Sequence, residues 1–521
     1  MVRPALRHSW PAALAAGLAL LTACTATPDP TPSPSATFAP TFVEEACPTD
    51  VEVTLLVDHA CGSLTVLQNR AAEDGATVRL LVVRMDAPEG APATDPILVA
   101  GADIGDELQI GSFAPLVTRV QRTVYVLEPR GVGHAQPLLA CPEVDELAVD
   151  VVEAPYGDVT VRQRLLAAVG ACRKRLVEEG VEIGSFGVAD AAADIEDLRL
   201  ALGIPNWNLV SYGSNSRFVL ESVRRFPAGV RAVAIDSPQF PQFGPEVDPE
   251  AMVHAMGELA AACSSGPECV SIAPEVETLL QQAVARLDAA PLDIEVADAG
   301  GSDRGSRPVV VHLDGRAALR AVRSALGGDG PSNATRLPAA IAEASAGQPS
   351  RLLAEILAND PVLCAGYRPL CPRQPRTFSL GVYLDVLCGD IAPFLDEDLF
   401  AETVRDSPYR GLFEDNPYLA ACDVWATRQS EASLHEPLAT DLPVLIMVGR
   451  LDSYSSPPAA TSAAASLPNG FVVEVPGQTH NVLGFTECTL GIRNAFINDP
   501  ETRPDTRCLE GLAITFDMTP D

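Results

Sequence analysis

Hydrophobic and polar positions change rhythm several times along this chain. Two arginines, Arg3 and Arg7, precede an apolar run over 11–21 rich in Ala and Leu. That run falls short of the about 20 residues a membrane-spanning helix needs. A basic start, a short apolar run and small residues before a break predict an export signal over 1–23. Residues 24–45 are dominated at first by Thr, Pro, Ser and Ala, and predict an extended tether. Beyond it, short apolar runs read as buried strands at 78–83, 97–100, 124–127, 207–210, 230–235, 444–448 and 472–475. Between some of them the spacing is helical. Leu165, Leu166, Val169, Cys172 and Leu176 share one helix face, as do Ala191, Ile195, Leu198 and Leu202, with Gly203 as a stop. Strands alternating with helices predict an α/β fold with a mostly parallel central sheet and flanking helices. Between 240 and 435 the alternation fades into Ala-rich helical patterning. The expected organisation is a core over 46–239 and 436–521, with a mainly helical cap inserted over 240–435.

Composition narrows the partners. The chain has 36 basic residues against 69 acidic ones, a net charge of −33, and Lys174 is its one lysine. Nucleic-acid binding needs a basic stripe to neutralise phosphates, and none is present. The thirteen cysteines fix the compartment. Leu21-Thr22-Ala23-Cys24 resembles the bacterial lipobox, which implies a lipidated Cys24 and an anchor on the outer face of the cell membrane. Twelve remain: Cys47, Cys61, Cys141, Cys172, Cys263, Cys269, Cys364, Cys371, Cys388, Cys422, Cys488 and Cys508. An even number in an exported chain predicts a disulfide framework. Pairing neighbours in order gives six bridges, although sequence alone leaves the connectivity open. No spacing matches a metal site, and no cofactor motif appears.

Several segments carry a family likeness. These are Cys61-Gly62-Ser63-Leu64-Thr65-Val66; Glu128-Pro129-Arg130-Gly131-Val132-Gly133-His134-Ala135 with Cys141 after it; Asp194 with Leu198-Arg199 and Leu202-Gly203; and Trp207-Asn208-Leu209. Together they resemble the exported tripeptidyl-aminopeptidase and proline-iminopeptidase-like branch of the α/β-hydrolases, from about residue 47 to 508. The resemblance implies a serine hydrolase scaffold acting on short peptides or small esters, with nucleophile, acid and base in the order Ser, Asp, His. Gly449-Arg450-Leu451-Asp452, ending a buried strand, is similar to the family's G-x-x-D segment and puts Asp452 in the acid's place. His480, 28 residues on, takes the base's place.

The nucleophile departs from the pattern. The family runs W-N-L-x-G-x-S-Y-G-T into a helix that ends near R-x-F/Y-P. Anchoring on Trp207-Asn208-Leu209 or on Arg225-Phe226-Pro227 gives the same register, and the attacking position is Gly213. Ser211 and Asn215 then fill the small positions on either side of a tight turn. Ser211 and Ser214 remain alternative nucleophiles, each needing a shifted turn. The oxyanion region implied by the family comprises Gly101, Ala102 and Ser214. There Gly101-Ala102-Asp103-Ile104-Gly105 replaces G-G-P-G, and a carboxylate at Asp103 opposes negative charge. Two expectations follow: an active hydrolase of short peptides or esters, or a silent relative that binds such ligands.

Overall fold

The computed structural model describes residues 38–54, 57–72, 75–91, 95–101, 110–155, 157–240, 249–296, 308–328, 330–359, 378–413, 416–484 and 486–519. The strands are β1 Thr41–Glu45, β2 His59–Leu67, β3 Thr77–Met85, β4 Ile97–Ala100, β5 Val124–Leu127, β6 Trp207–Tyr212, β7 Val230–Asp236, β8 Leu292–Val296, β9 Val309–Leu313, β10 Val444–Gly449 and β11 Gly470–Val475. Nine of them form one sheet in the order β1-β2-β3-β5-β4-β6-β7-β10-β11. The first three pairings are antiparallel and the remaining five parallel. The chain builds outward from β4 to β5, then returns to lay β6 on β4's other side. Open α/β sheets bind ligands at such a reversal, beyond the carboxyl ends of the strands.

The apolar runs explain the layers. Strands β4 and β10 are buried along their whole length, as parallel strands covered on both faces are. Side chains alternate between faces. Leu98, Leu209 and Ile446 join a core with Leu165, Val169, Ile195 and Leu198 from helices Val159–Glu178 and Val188–Ala201. Their neighbours Val99, Val210 and Leu445 face the other way, onto Ile492 and Phe496 of helix Glu487–Asn498. Asp158 caps the first of these helices by accepting the Val161 N–H. Gly203, at φ +66°, ends the turn after the second. This is the α/β-hydrolase fold expected from the sequence.

Two boundaries differ from expectation. The tether expected over 24–45 gives way to the sheet at Thr41, because Thr41–Glu45 forms an antiparallel edge ladder with β2. Phe42 fills the space over Gly62, where a Cβ would collide with its ring. Its polar, mostly exposed pattern hides such a strand from periodicity. The cap expected over 240–435 is also divided. Its first part has a separate core, with Leu259, Leu287, Val322, Ile341 and Leu353 packed on Val311 of the β8–β9 hairpin. Its last part, including Leu384 and Trp425, belongs to the main core. Asp385 fixes that part by accepting the N–H groups of Gly184 and Phe186, the Trp425 indole N–H and the Thr427 hydroxyl.

Five bridges join neighbouring cysteines in order: Cys47–Cys61, Cys141–Cys172, Cys263–Cys269, Cys388–Cys422 and Cys488–Cys508. Cys364 and Cys371, like Cys24 and the export signal, lie outside the described residues. No helix among the described residues is long and apolar enough to cross a membrane.

Candidate functional site

Strands β6, β7, β10 and β11 end side by side, and the candidate residues lie on the turns that follow. Strand β6 stops at Tyr212 and the chain enters a tight turn, Gly213–Asn215, then helix Ser216–Arg225. Gly213 opens that turn at φ +60°, a conformation glycine adopts freely and side-chain-bearing residues avoid. The residue at the strand-to-helix turn is therefore Gly213, the same position that both sequence anchors select.

Neither alternative serine occupies that place. Ser211 lies within β6, fully buried, paired with Ile235, and its hydroxyl donates to the Ala100 carbonyl at 3.1 Å. Ser214 is buried in the turn one residue past the corner. Asn215 is fully buried, and its side chain fills the space where a Cβ on Gly101 would stand. Gly101, at φ +87°, is the first residue of the loop after β4. The rest of that loop, with Ala102 and Asp103, lies outside the described residues.

The acid and base positions come together. His480 Nδ1 lies 2.8 Å from Asp452 Oδ2, with both residues buried. The other carboxylate oxygen, Oδ1, accepts the N–H groups of Tyr454 at 2.8 Å and Ser455 at 2.9 Å. An ionised carboxylate only accepts, so this arrangement assigns the proton on Nδ1 and leaves proton exchange to Nε2. Gly449 lets the two turns meet: a Cβ there would strike the carbonyl oxygens of Gln478 and Thr479. The Leu451 N–H donates to the Gln478 carbonyl at 2.9 Å.

The cap closes on the same two turns. Ser453 donates to the carbonyl of Arg323, on helix Gly315–Leu326, at 2.8 Å. Thr479 donates to the Gly328 carbonyl at 2.9 Å. The Arg323 guanidinium sits 4.8 Å from the centre of the Tyr454 ring, whose edge meets His480.

Glu128, just past β5, braces the turn that follows. Glu128 is fully buried, and its carboxylate accepts the His134 N–H at 2.8 Å and lies 3.1 Å from His134 Nδ1. Nearby, Arg130 pairs with both oxygens of Asp194 at 2.7 and 2.6 Å.

At this site one buried carboxylate escaped the sequence reading. Asp236 ends β7, fully buried, and accepts the N–H groups of Val482 and Leu483 just past His480. Burial pushes its carboxyl up to about 6, against the pull of those N–H groups and of His480. Its only signal was a carboxylate closing an apolar strand. Among the described residues no group of three or more His, Cys, Asp or Glu is placed to hold a metal ion.

Such an arrangement holds a proton acceptor and its orienting acid on the turns after β11 and β10, while the Gly213 corner after β6 carries no hydroxyl. Hydrolysis through an acyl-enzyme needs that hydroxyl.

The family model described as TAP-like protein matches residues 412–508, which include Asp452 and His480. Serine protease Hip1 of Mycobacterium tuberculosis is 24% identical over 222 residues, 40% of this chain and 42% of that protein. The putative hydrolase YuaR of Escherichia coli is 26% identical over 163 residues, 30% of each. The chain thus aligns with less than half the length of the curated relatives it matches. Among solved structures, a thermophilic esterase from Thermogutta terrifontis superposes with a TM-score of 0.35 at 13% identity, covering 82% of this chain and 95% of that one.

Proposed function

We propose that this chain, similar to the TAP-like model over residues 412–508 and to serine protease Hip1 over 222 residues, is an exported, lipid-anchored relative of serine hydrolases. It binds a short peptide or small ester without forming an acyl-enzyme. The observation that carries this reading is Gly213 at φ +60° on the strand-to-helix turn. A methylene and hydroxyl are missing where the attack would start. Asp452 and His480 keep their pairing, and the unprotonated Nε2 offers a ligand N–H or ammonium group an acceptor. The acidic surface, with its net charge of −33, suits amine-bearing ligands better than anionic ones.

The test is fluorophosphonate labelling of the natural protein without its lipid. No labelling is expected. The second reading, an active hydrolase, is favoured by the retained Asp452–His480 pair; labelling that Ser211→Ala or Ser214→Ala abolishes would establish it and end the first. Anchoring is proposed at Cys24. A Cys24→Ala chain is expected to leave the membrane fraction and appear in the soluble exported fraction. Retention on the membrane would reject Cys24 as the anchor.

A further inference from the structure

Asp236 stands between the turn strand and the acid strand, opposite Tyr212 of β6 on one side and Met447 of β10 on the other. Its Oδ2 accepts the Leu483 N–H at 2.7 Å and its Oδ1 the Val482 N–H at 3.0 Å. The Ser237 hydroxyl donates to the same carboxylate at 3.1 Å and accepts the Asn481 N–H at 2.9 Å. All three backbone N–H groups that follow His480 are thereby held from β7. Two residues of this assembly, Ser237 at φ +47° and Asn481 at φ +58°, adopt left-handed backbone, which persists where surrounding contacts over-determine it. The network also reaches the acid. Ser455 donates its hydroxyl to the Ser237 carbonyl at 2.7 Å and its N–H to Asp452 at 2.9 Å. One unbroken path of hydrogen bonds thus runs from the backbone after His480, through Asp236 and Ser237, to Asp452.

We propose that Asp236 is a positioning residue for His480: it pins residues 481–483 so that the imidazole stays against Asp452. The inference goes beyond the binding reading, because it concerns the base and not the missing hydroxyl. A carboxylate suits the task because it accepts from several donors at once and donates to none. An amide in its place turns an NH₂ group toward one of the N–H donors. The loop then loses an acceptor in the interior, where unsatisfied polar groups are disfavoured, and the imidazole is free to swing.

The Nδ1 proton of His480 reports this directly, because its exchange with solvent is slow only while it is bonded to Asp452. Proton NMR of the natural protein should show that resonance, assigned by its loss in Asp452→Asn. In Asp236→Asn it is expected to vanish or exchange at least tenfold faster, with the circular dichroism unchanged. Asp385→Asn is the control for a purely structural role, since Asp385 is also fully buried and accepts from four donors of the main core. That variant should keep the natural exchange rate. Unchanged exchange in Asp236→Asn, or equal acceleration in Asp385→Asn, overturns the proposal. Should Asp236→Asn fail to fold, Ser237→Ala decides: at least threefold faster exchange supports the proposal, and unchanged exchange overturns it.

Discussion

The double substitution Gly213→Ser with Asn215→Gly is expected to turn the protein into one that a fluorophosphonate labels and that hydrolyses activated esters. Gly213→Ser alone is expected to fall about a hundredfold behind it in ester hydrolysis. The difference rests on Asn215. A serine at 213 restores a hydroxyl beside the Asp452–His480 pair. It must adopt φ +60°, which disfavours it by about 1–2 kcal/mol, a strain the nucleophile position of such a turn bears. The Asn215 side chain, however, packs against Gly101, where the loop after β4 begins. A tetrahedral intermediate needs backbone donors open in that region, and loss of one such donor lowers kcat by roughly 10²–10³. Clearing the side chain with glycine reopens the approach, at a cost of only about a few tenths of a kcal/mol, since position 215 caps the helix and does not lie inside it. Equal labelling of the single and double variants would show that Asn215 obstructs nothing. Silence in both would place the defect in the acid–base pair or in the loop after β4.

Asp194→Ala is expected to destabilise the protein by about 3–5 kcal/mol, read as a lower urea midpoint at unchanged slope, because it strips a buried guanidinium of its two-point carboxylate partner. The Arg130 side chain is 1% exposed and Asp194 3%. Without the carboxylate, Arg130 keeps the Gln68 and Ser185 carbonyls, at 3.1 and 2.6 Å, and a looser contact with Asp190 at 4.0 Å. The pair ties the turn after β5 to helix Val188–Ala201, which leads into β6, so the loss reaches the sheet beneath the site. Arg70 also contacts Asp194, but its side chain is 25% exposed; Arg70→Ala should shift stability by about 1 kcal/mol or less. A midpoint for Asp194→Ala within the range of Arg70→Ala would refute the role given to the buried pair.

The sheet was legible because its strands are buried on both faces and read as plain apolar runs. Val124–Leu127 and Ile97–Ala100 coincide with their runs to the residue. Strands that escaped have a different physical basis. Leu292–Val296 alternates charged and apolar residues and, among the described residues, pairs only with Val309–Leu313, so neither the length nor the composition of a core strand is present. Thr41–Glu45 owes its shape to the ladder offered by β2. At the site, Asp452, His480 and Gly213 were each marked by spacing within a motif. Asp236 was not, since its role depends on which loop lies across the end of β7. Asn215 reads in the sequence only as the filler of a small position, and its contact with Gly101 comes from adjacent strands far apart in sequence.

For a chain exported as proposed above, the bridge pattern bears on how the folded state is reached. The five bridges span 14, 31, 6, 34 and 20 residues, and each closes before the next begins. A chain threaded out amino end first presents each cysteine's partner before the next pair emerges. Short loops close with little entropy loss, so oxidation can keep pace with translocation. Among these ten cysteines native pairing is then the first pairing on offer, while Cys364 and Cys371, which lie outside the described residues, emerge before the fourth bridge begins. The sheet follows a different clock, for β7 meets β10 only after the whole cap has crossed.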